Sequence, residues 1–330
     1  MHHRILDFSQ TDVRLRVRYS QLRIFHQEEL LASVPLDDIA VVLLSHPMIT
    51  LSLSVLEGLS QSGAVAVVCN RQSIPVGICY PLTGHHLQAR IMRHQASAAK
   101  PTLKRLWQQV IKAKIRSQSQ VLTALFGDDG GLNQVISTVR SGDSDNREGY
   151  SARRYWSLLF GSMGFHRKPQ GEDPINTALN YGYGVLRAIM ARSISAAGLH
   201  PSLGLFHHNK YNPYCLADDL IEPFRPVVDY VVYHLSVEKA LIENLTPEIK
   251  AEIIRQITGR YDLGGFQETI FEAAAKLSES LAMVFVKDKT DLSLPERLPL
   301  ERPSGHSSRY NEATSTLPQI SDEESLKNAL

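Results

Sequence analysis

From residue 4 to about residue 45 the chain alternates apolar and polar positions with period two. Ile5, Leu6 and Phe8 are followed by Val13-Arg14-Leu15-Arg16-Val17 and then by Leu22-Arg23-Ile24-Phe25. Alternation sends every second side chain to one face, which predicts short, half-buried antiparallel strands. The unbroken apolar run 39–44 predicts a more fully buried strand. Leu51, Leu53, Val55, Leu56 and Leu59 fall at the apolar positions of one helix over 50–62. The runs 64–69 and 76–80 then predict two closing strands.

The pattern breaks at Tyr80-Pro81-Leu82-Thr83-Gly84, as at an interdomain link. From His86 onward the period becomes about 3.6 and helices dominate. The apolar spacing places them near 86–98, 102–126, 131–140, 147–161, 174–197, 215–236, 247–257 and 266–287. Asp173-Pro174 is a strong start, because aspartate caps and proline suits the first turn. Gly198 is an equally good stop. The fold class expected is α+β: a small antiparallel β-domain over 1–80, a linker over 81–85 and a larger all-α domain over 86–288. The stretch 289–330 holds four prolines, many serines and threonines and few aromatics. It is expected to be a flexible tail, dispensable for folding.

Composition narrows the class. With 330 residues, 43% hydrophobic and 21% charged, the chain can bury a large core without staples. Cys69, Cys79 and Cys215 make no CxxC pair or zinc spacing, which points to a reducing compartment. No leading apolar segment resembles a secretion signal, and the longest apolar runs are too short to span a bilayer. The expected location is the cytoplasm, with no membrane partner.

Net charge is only +1, but it is unevenly placed. Residues 86–126 contain no Asp or Glu, while Arg90, Arg93, Lys100, Lys104, Arg105, Lys112, Lys114 and Arg116 crowd there around Trp107. A merely solvated helix face is normally mixed in sign, so this region is expected to bind the phosphate backbone of DNA.

Three polar segments beside helix starts could carry chemistry. Asp145 to Trp156 includes Glu148 in a first helical turn, where a carboxylate also serves as a capping or dipole-compensating acid. Gly204 to Pro213 contains the pair His207-His208, and Leu216 to Pro226 contains Asp218, Asp219 and Glu222. Asp219 and Glu222 are three apart and share a helix face, and a histidine about fifteen residues upstream can fold back against it. One imidazole with carboxylates suits Mg²⁺ or Mn²⁺, ions that act on phosphate oxygens. The plainer readings are an exposed, inert histidine pair and a capping Asp218-Asp219. There is no GxxxxGK[ST] phosphate loop and no nucleophile elbow, and the acidic Gly127-Asp128-Asp129-Gly130-Gly131 reads as a turn.

Taken together, the segments resemble the CRISPR-associated integrase family Cas-one, over roughly residues 1–288. The matching residues are Asn146-Arg147-Glu148-Gly149 with Ala152-Arg153 and Tyr155, then Asp173-Pro174-Ile175-Asn176 with Leu179-Asn180-Tyr181-Gly182-Tyr183. Next come Gly204, His207 and Asp219 with Glu222-Pro223-Phe224-Arg225-Pro226. The form of this last motif is similar to members that accompany the Cas-nine effector of type II systems. The resemblance implies that Glu148, His207 and Glu222 are metal ligands in the α-helical domain, with Asp219 an auxiliary acid and Arg147 and Arg153 neutralising phosphate. It aligns His207, not His208, with the family's histidine. The implied reaction is transesterification, a DNA 3′-hydroxyl attacking a phosphodiester of the repeat array, with hydrolysis when water takes its place. The implied partners are double-stranded DNA, a second copy of the chain contacting through the β-domain, a small Cas-two subunit bridging two homodimers, and Cas-nine.

Overall fold

The alternation of the first 45 residues becomes two sheets rather than one. A computed structural model describes residues 4–9, 11–70, 75–82, 84–168, 171–237, 245–259, 261–262, 267–287 and 290–300. The strands β1 (Arg4–Phe8), β2 (Arg14–Arg18), β3 (Gln21–His26), β4 (Glu29–Pro35), β5 (Ile39–Leu44) and β6 (Thr50–Leu51) precede helix α1 (Leu53–Gln61). Strands β7 (Val65–Cys69) and β8 (Pro75–Cys79) follow it. One sheet has the order β4-β3-β2-β6, the other β1-β5-β7-β8.

The expectation of purely antiparallel strands is corrected. β1 pairs with β5, β5 with β7 and β2 with β6 in parallel, while β2–β3, β3–β4 and β7–β8 are antiparallel. The physical reason lies in β5, whose run IAVVLL is apolar on both faces and needs cover on both. Ile39 and Val42 face a core shared with Leu15, Leu22 and Ile24 of the other sheet. Ala40, Val41 and Leu43 join the core of the helices instead. The helix expected over 50–62 begins only at Leu53, after extended residues that pair as β6.

The helices are α2 (Gln88–Ala96), α3 (Lys100–Phe126), α4 (Leu132–Ile136), α5 (Arg147–Phe160), α6 (Pro174–Ala196), α7 (Cys215–Ile221), α8 (Arg225–Val237), α9 (Pro247–Thr258) and α10 (Ile270–Lys287). Short strands β9 (Tyr261–Asp262) and β10 (Gln267–Glu268) pair between the last two. Asp173 caps α6 by accepting from the Asn176 amide at 3.0 Å, with Pro174 in the first turn. The single helix expected over 215–236 is two, broken at Glu222-Pro223-Phe224, because proline offers no amide to the preceding turn and its ring collides with it.

Sheet and helices are tied across the expected linker. Tyr181 Oη donates to Asp7 Oδ2 at 2.7 Å, and Arg192 Nε donates to the Gly63 carbonyl at 3.0 Å. At Gly84 a β-carbon would lie 2.0 Å from the Ser195 carbonyl oxygen, so only glycine lets the link pass α6. Among the described residues no helix is long and apolar enough to cross a membrane.

Asp229 of α8 is buried and accepts from Tyr155 Oη of α5 at 3.0 Å and from Tyr183 Oη of α6. Burial pushes its carboxyl up to about 7, although the two tyrosine hydroxyls pull the other way. An acid so raised keeps its proton in the folded state across the interval where the unfolded chain has lost it. Its contribution therefore falls as pH rises from about 4 to 7. Asp229→Asn should flatten that part of the stability profile, read as melting temperature at pH 5 and pH 8; a profile parallel to the parent's would refute the assignment.

The expected tail is also corrected over residues 290–300; the rest, 301–330, lies outside the described residues. Gln109 and Gln120, three turns apart on α3, each grip it as a neighbouring strand would. Gln109 Nε2 donates to the Thr290 carbonyl at 2.5 Å and its Oε1 accepts from the Leu292 amide at 2.9 Å. Gln120 does the same with the Glu296 carbonyl at 2.6 Å and the Leu298 amide at 2.9 Å. Leu292 and Leu298 are thereby buried in the helical core, which composition alone did not reveal. Each leucine contributes about 1.5–3 kcal/mol. Ending the chain at residue 289 should therefore lower the melting temperature by about 5 °C, and ending it at residue 300 should not.

Candidate metal centre

Three helix ends, the start of α5, the end of α7 and the start of α8, and the loop before α7 converge near the middle of α3. At the start of α5 the helix amides are capped by residues other than Glu148. Asn146, at φ 49°, accepts from the Gly149 amide at 3.0 Å. Asp143 accepts from the amides of Arg147 at 2.9 Å and Glu148 at 3.0 Å. The capping reading of Glu148 therefore falls, and its carboxylate turns to Lys114, whose Nζ lies 2.7 Å from Oε1.

Glu222 sits at the break between α7 and α8 with only 4% of its side chain exposed. Its Oε2 lies 2.6 Å from the same Lys114 Nζ, and Arg225 Nη1 lies 3.2 Å from Oε1. Oε2 thus faces the Lys114 ammonium and accepts from no other group among the described residues. Burial alone would raise this carboxyl; Arg225 and Lys114 outweigh it and hold it below the usual range. The reciprocal holds for Lys114, which burial would lower and which Glu222 and Glu148 raise.

The loop before α7 is organised by Asp219, which is fully buried. Its Oδ2 accepts from the amides of Leu205 at 2.6 Å and Phe206 at 2.9 Å, and its Oδ1 from the amide of His207 at 3.4 Å. Oδ1 also meets His207 Nδ1 at 2.5 Å, which fixes the ring and leaves Nε2 without a hydrogen bond among the described residues. Gly204 permits the tight turn, since a β-carbon there would lie 2.4 Å from the His207 carbonyl oxygen and 2.9 Å from Asp219 Oδ2. Trp107 of α3, fully buried, stacks on Phe206 with ring centroids 4.6 Å apart and meets His207 edge-on at 5.7 Å. Asp219 raises the His207 imidazole above its ordinary value, with smaller contributions from Glu222 and Glu148. His208 is exposed and borders the open loop cleft with Asn209 and Tyr211.

The structure thus brings Glu148, Glu222, His207 and Asp219 to one place, but in this arrangement no three Asp, Glu, His or Cys among the described residues already form a metal cluster. An ammonium stands between the two glutamates instead. Two carboxylates that share one ammonium, and an imidazole nitrogen with no hydrogen bond among the described residues, fit a hard divalent cation, once Lys114 yields its place.

Lys114 is a correction to the expected DNA-binding set. Lys112 and Arg116 are four apart and share one side of α3, while Lys114 lies between them on the opposite side, which the helical period itself announces. Arg90, Arg93, Lys100, Lys104 and Arg105 are exposed, and Lys112 and Arg116 are half-buried. Of the two auxiliary arginines, Arg147 buries an Nε with no hydrogen bond among the described residues. Arg153 is exposed and, about 140° around α5 from Glu148, points away from the centre. Arg225, Asp143 and Trp107 belong to the centre, yet sequence reasoning gave none of them a role in it.

Residues 8–248 match the family model described as CRISPR associated protein Cas1. The chain is 37% identical over 272 residues to a CRISPR-associated endonuclease Cas1 of Neisseria meningitidis serogroup C (strain 8013), covering 82% of this chain and 88% of that protein. Among solved structures it is similar to a casposase bound to integration product, with a TM-score of 0.76 and 22% identity over 94% of this chain and 98% of that one. It is also similar to a chain of a Cas6-RT-Cas1–Cas2 complex, with a TM-score of 0.71 and 14% identity over 89% of this chain and 36% of that one. The two structures establish the shared fold, and the family match with the Neisseria relative establishes more: this chain belongs to the CRISPR-associated Cas1 family.

Proposed function

We propose that this protein is a divalent-cation-dependent DNA integrase and endonuclease that joins a DNA 3′-hydroxyl to a phosphodiester of a CRISPR repeat array. The observation that carries this reading is the pairing of Glu148 and Glu222 across one cation, beside an imidazole whose Nε2 Asp219 holds free. Glu148, Glu222 and His207 Nε2 would hold Mg²⁺ or Mn²⁺, which supplies charge stabilisation for the attacked phosphate and the departing 3′-oxygen. Asp219 orients the imidazole and fixes its tautomer. Arg225 keeps Glu222 ionised. Water in place of the hydroxyl gives strand cutting at the same site. The names of the relatives support this assignment, one an endonuclease and another a casposase bound to integration product.

Double-stranded DNA would run along the exposed basic residues Arg90, Arg93, Lys104 and Arg105, with Lys112 and Arg116 at its border. The family fold occurs in a complex with Cas2, which supports a Cas-two subunit as partner. A second copy of this chain and the Cas-nine effector are the further partners proposed.

A labelled 3′-hydroxyl duplex incubated with supercoiled repeat plasmid and Mn²⁺ separates the alternatives. Joined product supports the integrase, nicking alone identifies a nuclease, and a shifted but intact band identifies a DNA-holding subunit. In the same assay His207→Ala and Glu222→Ala should lose joining and cutting while still shifting DNA. Asp219→Asn should lower the rate about 10–100-fold, the usual cost of losing a partner that orients a ligand. His208→Ala should keep most activity; an inactive His208→Ala beside an active His207→Ala would overturn the assignment.

A further inference from the structure

Lys114 is the group the proposed reaction does not use, and it stands where the cation must go. Its ammonium is 2.7 Å from Glu148 and 2.6 Å from Glu222, with 11% of the side chain exposed. No cation can bridge those two carboxylates while it remains there. A displaced ammonium needs an acceptor, because a buried charge without a partner is strongly unfavourable.

The structure holds two acceptors in reserve. Gln118 lies one turn further along the same face of α3 as Lys114, and its Oε1 is buried with no hydrogen bond among the described residues. Ser151 lies nearly one turn beyond Glu148 on α5, and its Oγ is likewise buried and unpaired. The two helices run side by side in the same direction. Lys114 faces Glu148, and further on a β-carbon at Gly130 would meet both Leu122 of α3 and Leu158 of α5. Gln118 and Ser151 therefore each lie about one turn along their own helix, in the same direction, from the ion-paired Lys114 and Glu148. Native interiors rarely leave such buried polar atoms unpaired without a use.

We propose that Lys114 is a built-in stand-in cation: it holds Glu148 and Glu222 together when no metal is bound, and withdraws towards Gln118 and Ser151 when a divalent cation takes its place. The inference rests on the metal reading of Glu148, His207 and Glu222. Lys114 is then a positioning residue with two stations. It keeps the ligands folded in place between binding events, and it makes metal binding weaker than the same ligands would otherwise give.

Titration of the full-length protein with Mn²⁺ alone, followed by the electron paramagnetic resonance signal of free Mn²⁺, tests this without reference to activity. Lys114→Met should bind Mn²⁺ at least about tenfold more tightly than the parent, since the ion no longer displaces a charge. In EDTA the same variant should melt at lower temperature, with two carboxylates facing each other and Arg225 left as the counter-charge beside Glu222, and Mn²⁺ should raise its melting temperature more than the parent's. Gln118→Leu, which leaves the ion pairs intact, should weaken Mn²⁺ binding when Lys114 is present and have no effect in the Lys114→Met background. Equal or weaker binding by Lys114→Met, with binding still lost in Glu222→Gln, overturns the stand-in while the metal reading survives. An unchanged affinity in Gln118→Leu overturns the withdrawal, leaving a lysine that acts by charge from a fixed position. Absence of Mn²⁺ binding in the parent and in Glu222→Gln alike removes the metal reading and this inference with it.

Discussion

A buried carboxylate must be given a counter-charge, and that requirement at Glu222 governs the centre of this molecule. Removing one ionised carboxylate from water costs several kcal/mol even after relaxation. Here the cost is offset from two directions, by Lys114 of α3 and by Arg225 at the start of α8. Asp219, fully buried a turn earlier, is compensated by backbone amides and an imidazole rather than by a cation. The two acids differ accordingly in what they can do. Asp219 has spent its lone pairs on organising a loop, whereas Glu222 Oε2 meets the Lys114 ammonium and no other donor among the described residues.

The backbone follows from placing these charges. Pro223 ends α7 where Glu222 can leave the helix axis and meet α3, and Pro226 opens α8 with Arg225 alongside. The glycine at 204 lets the loop fold over Asp219, and Trp107 closes it from below by stacking on Phe206. Asp229 with Tyr155 and Tyr183 ties α5, α6 and α8 together, which links the helix bearing Glu148 to the helix that begins just after Glu222. On the reading proposed above, such a frame would hold ligand positions constant while one cation replaces another.

Much of this was legible in the chain, and the failures share one cause. Period-two alternation and the Asp173-Pro174 start are local signals, and local physics settled them; the grouping of Glu148 with His207 and Glu222, distant in the chain, came from the resemblance to the Cas-one family. Strand direction is not local: β5 pairs in parallel because both of its apolar faces need cover from distant segments. The strap at 290–300 reads as polar tail, because its binding energy lies in two leucines and in glutamines some 180 positions away. Lys114 was misread for a different reason. Counting charge along a segment ignores the side of the helix each residue occupies, and the two-residue steps from Lys112 to Lys114 to Arg116 cross from one side of α3 to the other and back.

That distinction separates two jobs for positive charge in a chain whose net charge is only +1. Exposed residues such as Arg90, Arg93 and Arg105 act at long range and in solvent, where salt screens them and where they can steer a polyanion without choosing a bond. Interior Lys114 and Arg225 act at contact distance in a medium that screens poorly, where a single charge out of place decides whether Glu222 can stay ionised. With Lys114 bridging the glutamates, the centre is nearly neutral and has no strong hold on a phosphate. On the reading proposed above, a divalent cation that pushes Lys114 aside without expelling it leaves the centre net positive, matched to the single negative charge of a phosphodiester. The attraction for DNA at the reacting bond would then exist only once the cation is in place, so the two would bind in that order or together.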